Sequence, residues 1–178
     1  GYVIGQFRLG VMYDNGLGVT QDYAEAVKWF RYSAENGFAK AQYALGGRYA
    51  QGQGVKQDDA EAAKWFHKSA EQGDTVAQVA LGIMYDIGRG VPEDDGKAVK
   101  WYRKAADQGN ANAQNNLGAM YARGRGVPED FVLGHMWCNL SAAQGLEIAA
   151  KNRDLVRGVM TSEQITEAQE LAREWRPK

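Results

Sequence analysis

Three observations predict an all-α solenoid built from stacked helix-turn-helix repeats. Trp29, Trp65, Trp101 and Trp137 stand 36 residues apart, and Tyr13, Tyr49, Tyr85 and Tyr121 keep the same step. Divided as 5–40, 41–76, 77–112 and 113–148, the chain aligns without a gap, and eleven columns are identical in all four segments: Q-x-x-L-G-x-x-Y-x-x-G-x-G-V-x-x-D-x₆-W-x₄-A-x-x-G. Each segment carries two apolar stripes of helical period separated by a glycine-containing break, the pattern of an α-hairpin. One such hairpin cannot bury both its faces, so stacking is obligatory.

Residues 1–4 come first. Gly1-Tyr2 aligns with Gly37-Phe38, Gly73-Asp74 and Gly109-Asn110. The segment is therefore expected to be the remnant of a preceding repeat, and the chain, which does not begin with Met, a trimmed product. Within each repeat the first helix is represented by 41–50, where Ala41, Leu45 and Tyr49 fall at i, i+4, i+8 on one buried face. Gly52-Gln53-Gly54-Val55 ends it, glycine being free to take positive φ. The second helix opens at Asp58 with Glu61 three residues on, a capping-box spacing that Asp22 and Glu25 repeat. It carries Ala62, Trp65, Phe66, Ser69 and Ala70 as an i, i+3, i+4, i+7 stripe and stops at Gly73. The tryptophans lie inside that stripe, which makes them core rather than a stacking platform for a ligand or bases. Gly46, Ala70 and their equivalents let neighbouring helices approach.

Residues 149–178 form the C-terminal cap. Arg153 and Arg157 fall where Leu and Tyr belong, giving the polar terminal unit a solenoid needs for solubility. A last helix follows, with Thr161 and Gln164 as a capping box, Met160 and Ile165 as a hydrophobic staple, and Ile165, Ala168, Leu171, Ala172 and Trp175 as its docking face. This end reads as the native terminus. In the second helix of the fourth repeat, Val132 to Met136 and Cys138 replace more polar or aromatic residues, which fits burial beneath the cap.

Composition agrees with the array. Sixteen of the 22 glycines occupy four repeat columns, Gly1 is a seventeenth, and Pro92 and Pro128 sit in inter-helix loops. A 44% hydrophobic content excludes a disordered chain, and no apolar run approaches the ~18–20 residues of a membrane span. The 21 Lys and Arg balance 22 Asp and Glu. With every repeat near neutrality there is no basic stripe, and no nucleic-acid partner is expected. Arg89 and Arg125 share a loop column with Arg123 beside the second; they read as solvated arginines or as a small basic patch at a groove edge.

The repeat resembles that of the Sel1-like repeat (SLR) family, a relative of the tetratricopeptide repeats, through Ala41-Gln42, Leu45-Gly46, Tyr49, Gly52, Gly54-Val55, Asp58, Trp65-Phe66, Ala70 and Gly73 and their counterparts in the other three repeats. The resemblance implies a right-handed superhelix of α/α pairs serving as an adaptor or scaffold for protein complexes in bacterial envelope or host-interaction systems. It makes a periplasmic or secreted location plausible, and the residues themselves leave a cytoplasmic one open.

A search for chemistry returns no catalytic residue, metal site or cofactor. His67 and His135 occupy different columns and form no close metal-ligand spacing; the first is expected to be exposed and the second partly buried. Cys138, three residues from His135, fills the slot of Phe30, Phe66 and Tyr102, which predicts a small buried hydrophobe rather than a nucleophile. The Gly-x-Gly-Val loops lack the third glycine, the lysine and the strand of phosphate-binding loops. Cysteine-rich relatives of the family are linked to β-lactam binding or hydrolysis, which supplies an alternative function. This chain has neither their paired cysteines nor Ser-x-x-Lys or Lys-Thr-Gly.

The expected function is therefore capture of a protein or peptide in the concave groove. If Leu45 and Tyr49 face the core, residues two positions away point about 200° around the helix. That selects Tyr43, Gly47, Ala50 and Gln51, and the same columns give Phe7, Val11, Asp14 and Asn15, then Val79, Ile83, Asp86 and Ile87, then Asn115, Ala119, Ala122 and Arg123. The stripe is apolar in three repeats and polar in the fourth. The competing expectation is that tight curvature buries these residues against the adjacent first helices. Self-association through the apolar turn Tyr2-Val3-Ile4 is a further expectation.

Overall fold

The computed structural model describes residues 2–178; Gly1, aligned above with the helix-ending glycines, lies outside the described residues. Ten helices and no strand occur among them, in an all-α repeat fold with a repeat of about 36 residues. The chain forms two packing units, 1–93 and 94–178.

The first unit holds α1 (Tyr2–Asn15), α2 (Tyr23–Glu35), α3 (Ala39–Gln51), α4 (Asp59–Glu71) and α5 (Thr75–Ile87), each packed on the next. Its core is the stripe read from the sequence: Ala26, Phe30, Ala41, Leu45, Ala62, Trp65, Phe66, Ala77 and Leu81 are all buried. Two glycines make each hairpin turn. Gly52 takes the left-handed conformation (φ +68) and caps α3, its N–H donating to the Arg48 carbonyl. Gly54 (φ +71) passes so close to the start of α2 that an added Cβ would lie 2.1 Å from the Tyr23 carbonyl oxygen.

Polar side chains tie successive helices together. The Gln42 amide donates to the Ala34 carbonyl at 3.0 Å and accepts from Gln72 at 2.7 Å, while the Ser69 hydroxyl donates to the Ala39 carbonyl at 2.9 Å. Buried backbone and amide groups are thereby satisfied, which is the condition for burying a polar column at all. The second helices are capped by aspartate alone. Asp58 accepts from the Glu61 N–H and Asp22 from those of Ala24 and Glu25. The expected capping boxes do not close there, because the Glu25 and Glu61 carboxylates pair forward with Lys28 and Lys64, both at 2.5 Å.

The second unit holds α6 (Asp95–Asp107), α7 (Ala111–Arg123), α8 (Phe131–Ala143), α9 (Glu147–Arg157) and α10 (Ser162–Glu174). α7 and α8 repeat the hairpin, α9 packs on α8, and α10 turns back onto α8 as well. The capping box of α10 is complete. Ala168 is fully buried, and the Trp175 ring meets Trp137 edge-on at 6.1 Å between centroids. The last residue is held too, the Lys178 N–H donating to the Asp107 carbonyl at 2.8 Å.

Candidate interaction surface

In the first unit, the face of α1 and α3 turned away from the core encloses an open hollow of about 430 Å³ reaching the start of α5. Phe7, Val11, Asp14, Tyr43, Gly47 and Gln51, six of the residues selected from the sequence, line it together with Phe30, Lys40, Ala44, Arg48, Asp74 and Val76. Helical geometry explains the gathering: positions 7, 11 and 14 and positions 43, 47 and 51 recur every turn on matching faces of two helices one repeat apart. Aromatic rings form its wall, Phe7 against Phe30 (5.8 Å) and Phe38 (5.2 Å), and Tyr43 against Phe66 (5.5 Å). Gly47 keeps it open, since nothing lies within 4 Å of where its Cβ would stand.

Charge is placed at the rim. Asp14 and Arg48 form an ion pair at 3.3 Å, with only 13% and 19% of their side chains exposed, and Arg48 also covers the Tyr23 ring. Burial, helped by the neighbouring Asp74 charge, pushes the Tyr43 hydroxyl above its ordinary pKa, so it remains a neutral hydrogen-bonding group at physiological pH.

Farther along the same unit, Val79 is half-buried while Ile83 and Ile87 are exposed, 41% and 60%. Both isoleucines border a smaller hollow with Ala50, Phe66, Ala80, Met84 and Arg89. Asn15 is exposed at the end of α1 and Asp86 is half-buried. Arg89 is exposed, as a loop arginine would be, but it is paired rather than part of a free basic patch. Its guanidinium donates to the Ala50 carbonyl at 2.9 Å and pairs with Asp59 at 2.8 Å, clamping the loop to the preceding hairpin. Arg125 does the same with Asp95 at 2.5 Å.

In the second unit, Arg123 is exposed but Asn115 is buried, because α9 returns across α7 and Asn152 donates to the Asn115 side-chain oxygen at 2.8 Å. A hollow of about 210 Å³ opens instead between α7 and α9, lined by Ala119, Ala122, Arg123, Phe131, Cys138, Asn152, Leu155, Val156 and Val159. Leu155 (73%) and Val159 (64%) are strongly exposed there. Carrying the 36-residue step once more, from Ala119 to Leu155 and from Arg123 to Val159, finds both; the polar substitutions at Arg153 and Arg157 had hidden a continuing stripe.

Among the described residues no group of three or more His, Cys, Asp or Glu could hold a metal ion, and no helix is long and apolar enough to cross a membrane. His67 is exposed, whereas His135 is almost wholly buried at 2% exposure. Cys138 is buried against Gly118, and burial pushes its thiol up to about 11, so it is a poor nucleophile near neutrality.

The model of the Sel1 repeat matches residues 3–38, 39–74, 75–110 and 111–146. Among solved structures, a protective antigen present in uropathogenic Escherichia coli strains and displaying an SLR fold is 41% identical, with a TM-score of 0.87 over 96% of this chain and 37% of the antigen. This chain thus spans little more than a third of that protein's length. A Sel1 repeat protein from Oxalobacter formigenes is 30% identical with a TM-score of 0.80, over 94% of this chain and 73% of that one. Cysteine rich protein B of Helicobacter pylori, at 24% identity and a TM-score of 0.54 over 63% of this chain and 86% of that one, shares the fold. No curated protein matches the sequence.

Proposed function

The chain belongs to the Sel1 repeat family, whose members are generally non-catalytic protein-interaction scaffolds, and from that premise we propose that it holds a peptide or a partner helix against the first-helix face of its first unit. One observation carries the reading: Phe7, Val11, Tyr43, Gly47 and Gln51 line a single open hollow. An apolar floor with a polar rim is what anchor residues of a partner need, since a few buried side chains supply most of an interface's energy. Val76, Ile83 and Ile87 extend the apolar face along α5, and surface of that kind is stabilised by being covered. A helix presenting apolar residues at i, i+3 and i+4 matches the spacing of the wall.

The alternative, a β-lactam-binding protein of the cysteine-rich type, has no support: likeness to the Helicobacter protein reaches the fold alone, and the one thiol here is buried. The test is capture of proteins from extract by the immobilised chain. Tyr43→Ala combined with Ile83→Asp is expected to abolish it while helicity by circular dichroism is retained; undiminished capture would remove the assignment. Self-association through the exposed Tyr2 and Ile4 is a separate proposal, and monomeric sedimentation at high concentration would eliminate it.

A further inference from the structure

The hollow of the second unit differs from that of the first in charge. In the first, the lining includes the carboxylates of Asp14 and Asp74 with the cations of Lys40 and Arg48. In the second, each position where a carboxylate stands in an equivalent repeat has lost it. Ala122 occupies the column of Asp14 and Asp86, and Phe131 the column of Asp59 and Asp95. The only charged group in the lining is the Arg123 guanidinium, which is exposed and has no ion-pair partner among the described residues.

A second cation stands on the same stripe. Lys151 and Leu155 stand at i and i+4 on one face of α9, so Lys151 lies one turn before the exposed leucine, and Val159 follows just past the Gly158 cap. Lys151 is exposed as well and has no ion-pair partner among the described residues. The nearest carboxylate on that stripe is Glu147, a further turn away, while Asp154 is engaged by Arg153 at 2.9 Å. The result is an apolar cleft lined by Phe131, Cys138, Leu155 and Val159, with Arg123 in its wall and Lys151 outside the lining, one helical turn before Leu155. An occupant that only filled it with apolar groups would leave two cations beside a newly dried surface. An occupant that also placed carboxylates beside its anchor would pair them.

We propose that this cleft is a second docking site, which takes a peptide segment with an aliphatic or aromatic anchor flanked by Asp or Glu. The inference rests on the scaffold reading only in taking a peptide as occupant, and the two sites are separable by mutation. The anchor enters between α7 and α9 against Leu155, Val156 and Val159. Its neighbouring carboxylates meet Arg123 on one side and Lys151 on the other.

A randomised dodecapeptide library displayed on phage and selected on the whole chain, with Leu155→Asp as the counter-selection, tests this. The expected sequences carry one or two large apolar residues bordered by acidic ones. A synthetic peptide of that composition should weaken by ~10-fold or more, measured by fluorescence anisotropy, on Leu155→Asp or on Arg123→Glu with Lys151→Glu, and also in high salt. Tyr43→Ala should leave its affinity unchanged, and the doubly charge-reversed chain should select basic flanks in a repeat of the experiment. The three substituted residues of the cleft, Arg123, Lys151 and Leu155, are all exposed, and circular dichroism verifies that each variant is folded. No enrichment over the counter-selection, flanks without acidic bias, or affinity lost through Tyr43→Ala but kept in Leu155→Asp would each overturn the proposal. Sedimentation of the unliganded chain adds one more contrary outcome: dimerisation abolished by Leu155→Asp would make a second copy the occupant.

Discussion

A methyl group added at Gly46 would stand 2.8 Å from the Phe66 ring and 3.2 Å from the Ala62 carbonyl oxygen. The ring can yield a little and the backbone cannot, so Gly46→Ala is expected to lower stability by about 1–3 kcal/mol in urea titrations. His135 gives a pH dependence. Burial first, then the Arg153 and Arg157 charges, hold its imidazole below the ordinary 6.5, with Asp154 partly opposing. The unfolded chain therefore takes up a proton that the native one resists. This contribution to stability is complete above the unfolded value and is lost as the pH falls below it toward the native one. Urea midpoints should fall between pH 7.5 and pH 5.5 by more in the parent chain than in His135→Leu. Cys138, with its pKa raised to about 11 by burial, should resist iodoacetamide at pH 8 and react once the chain is unfolded; fast labelling of the native chain would contradict its place in the core. Its burial was legible in the sequence because it fills an aromatic column. The Arg89 and Arg125 clamps were not, since their partners lie 30 residues away in another hairpin and no helical wheel reports which loop meets which helix start.

Among the elements, the hairpins follow directly from periodicity, whereas the terminal pair does not. α9 occupies a first-helix slot without a 36-residue partner helix after it, and the apolar residues from Val132 to Met136 and Cys138 pointed only to burial of α8 beneath the cap. α10 supplies that cover by returning to α8, where Trp175 meets Trp137 and Ala168 is fully buried. The reason is chemical: Arg153, Asp154 and Arg157 give α9 a polar flank that no apolar helix would cover, while Trp137 and its neighbours on α8 offer the apolar surface. Trp175→Ala should therefore cost about 1–3 kcal/mol and, by hydrogen exchange, release α10 before α7 and α8. Simultaneous loss of protection throughout the second unit would show that α10 is part of the cooperative core instead. The missing capping boxes of α2 and α4 belong to this scale too. The spacing was present, but a lysine three residues farther on competes for each glutamate.

For the whole molecule, the 36-residue step determines where each helix begins and which face it buries, and for that reason the all-α repeat fold was readable from the sequence. The surface was only partly so. Columns 7, 43 and 11, 47 converge on one hollow in the first unit, yet column 115 is covered by α9, and Leu155 and Val159 appear only when the step is carried beyond the fourth repeat. Which columns stay open depends on what packs over them, and that is a property of the folded chain rather than of any one stripe. Fold and family leave the partner's identity to the surface itself. The proposal that the first-helix face of the first unit holds a protein partner is tested most directly by site-specific photocrosslinking. A benzophenone amino acid in place of Tyr43 should yield a discrete crosslinked protein, and the same group in place of His67, on the exposed side of α4, should not. Crosslinking from position 67 with none from position 43 would contradict the account.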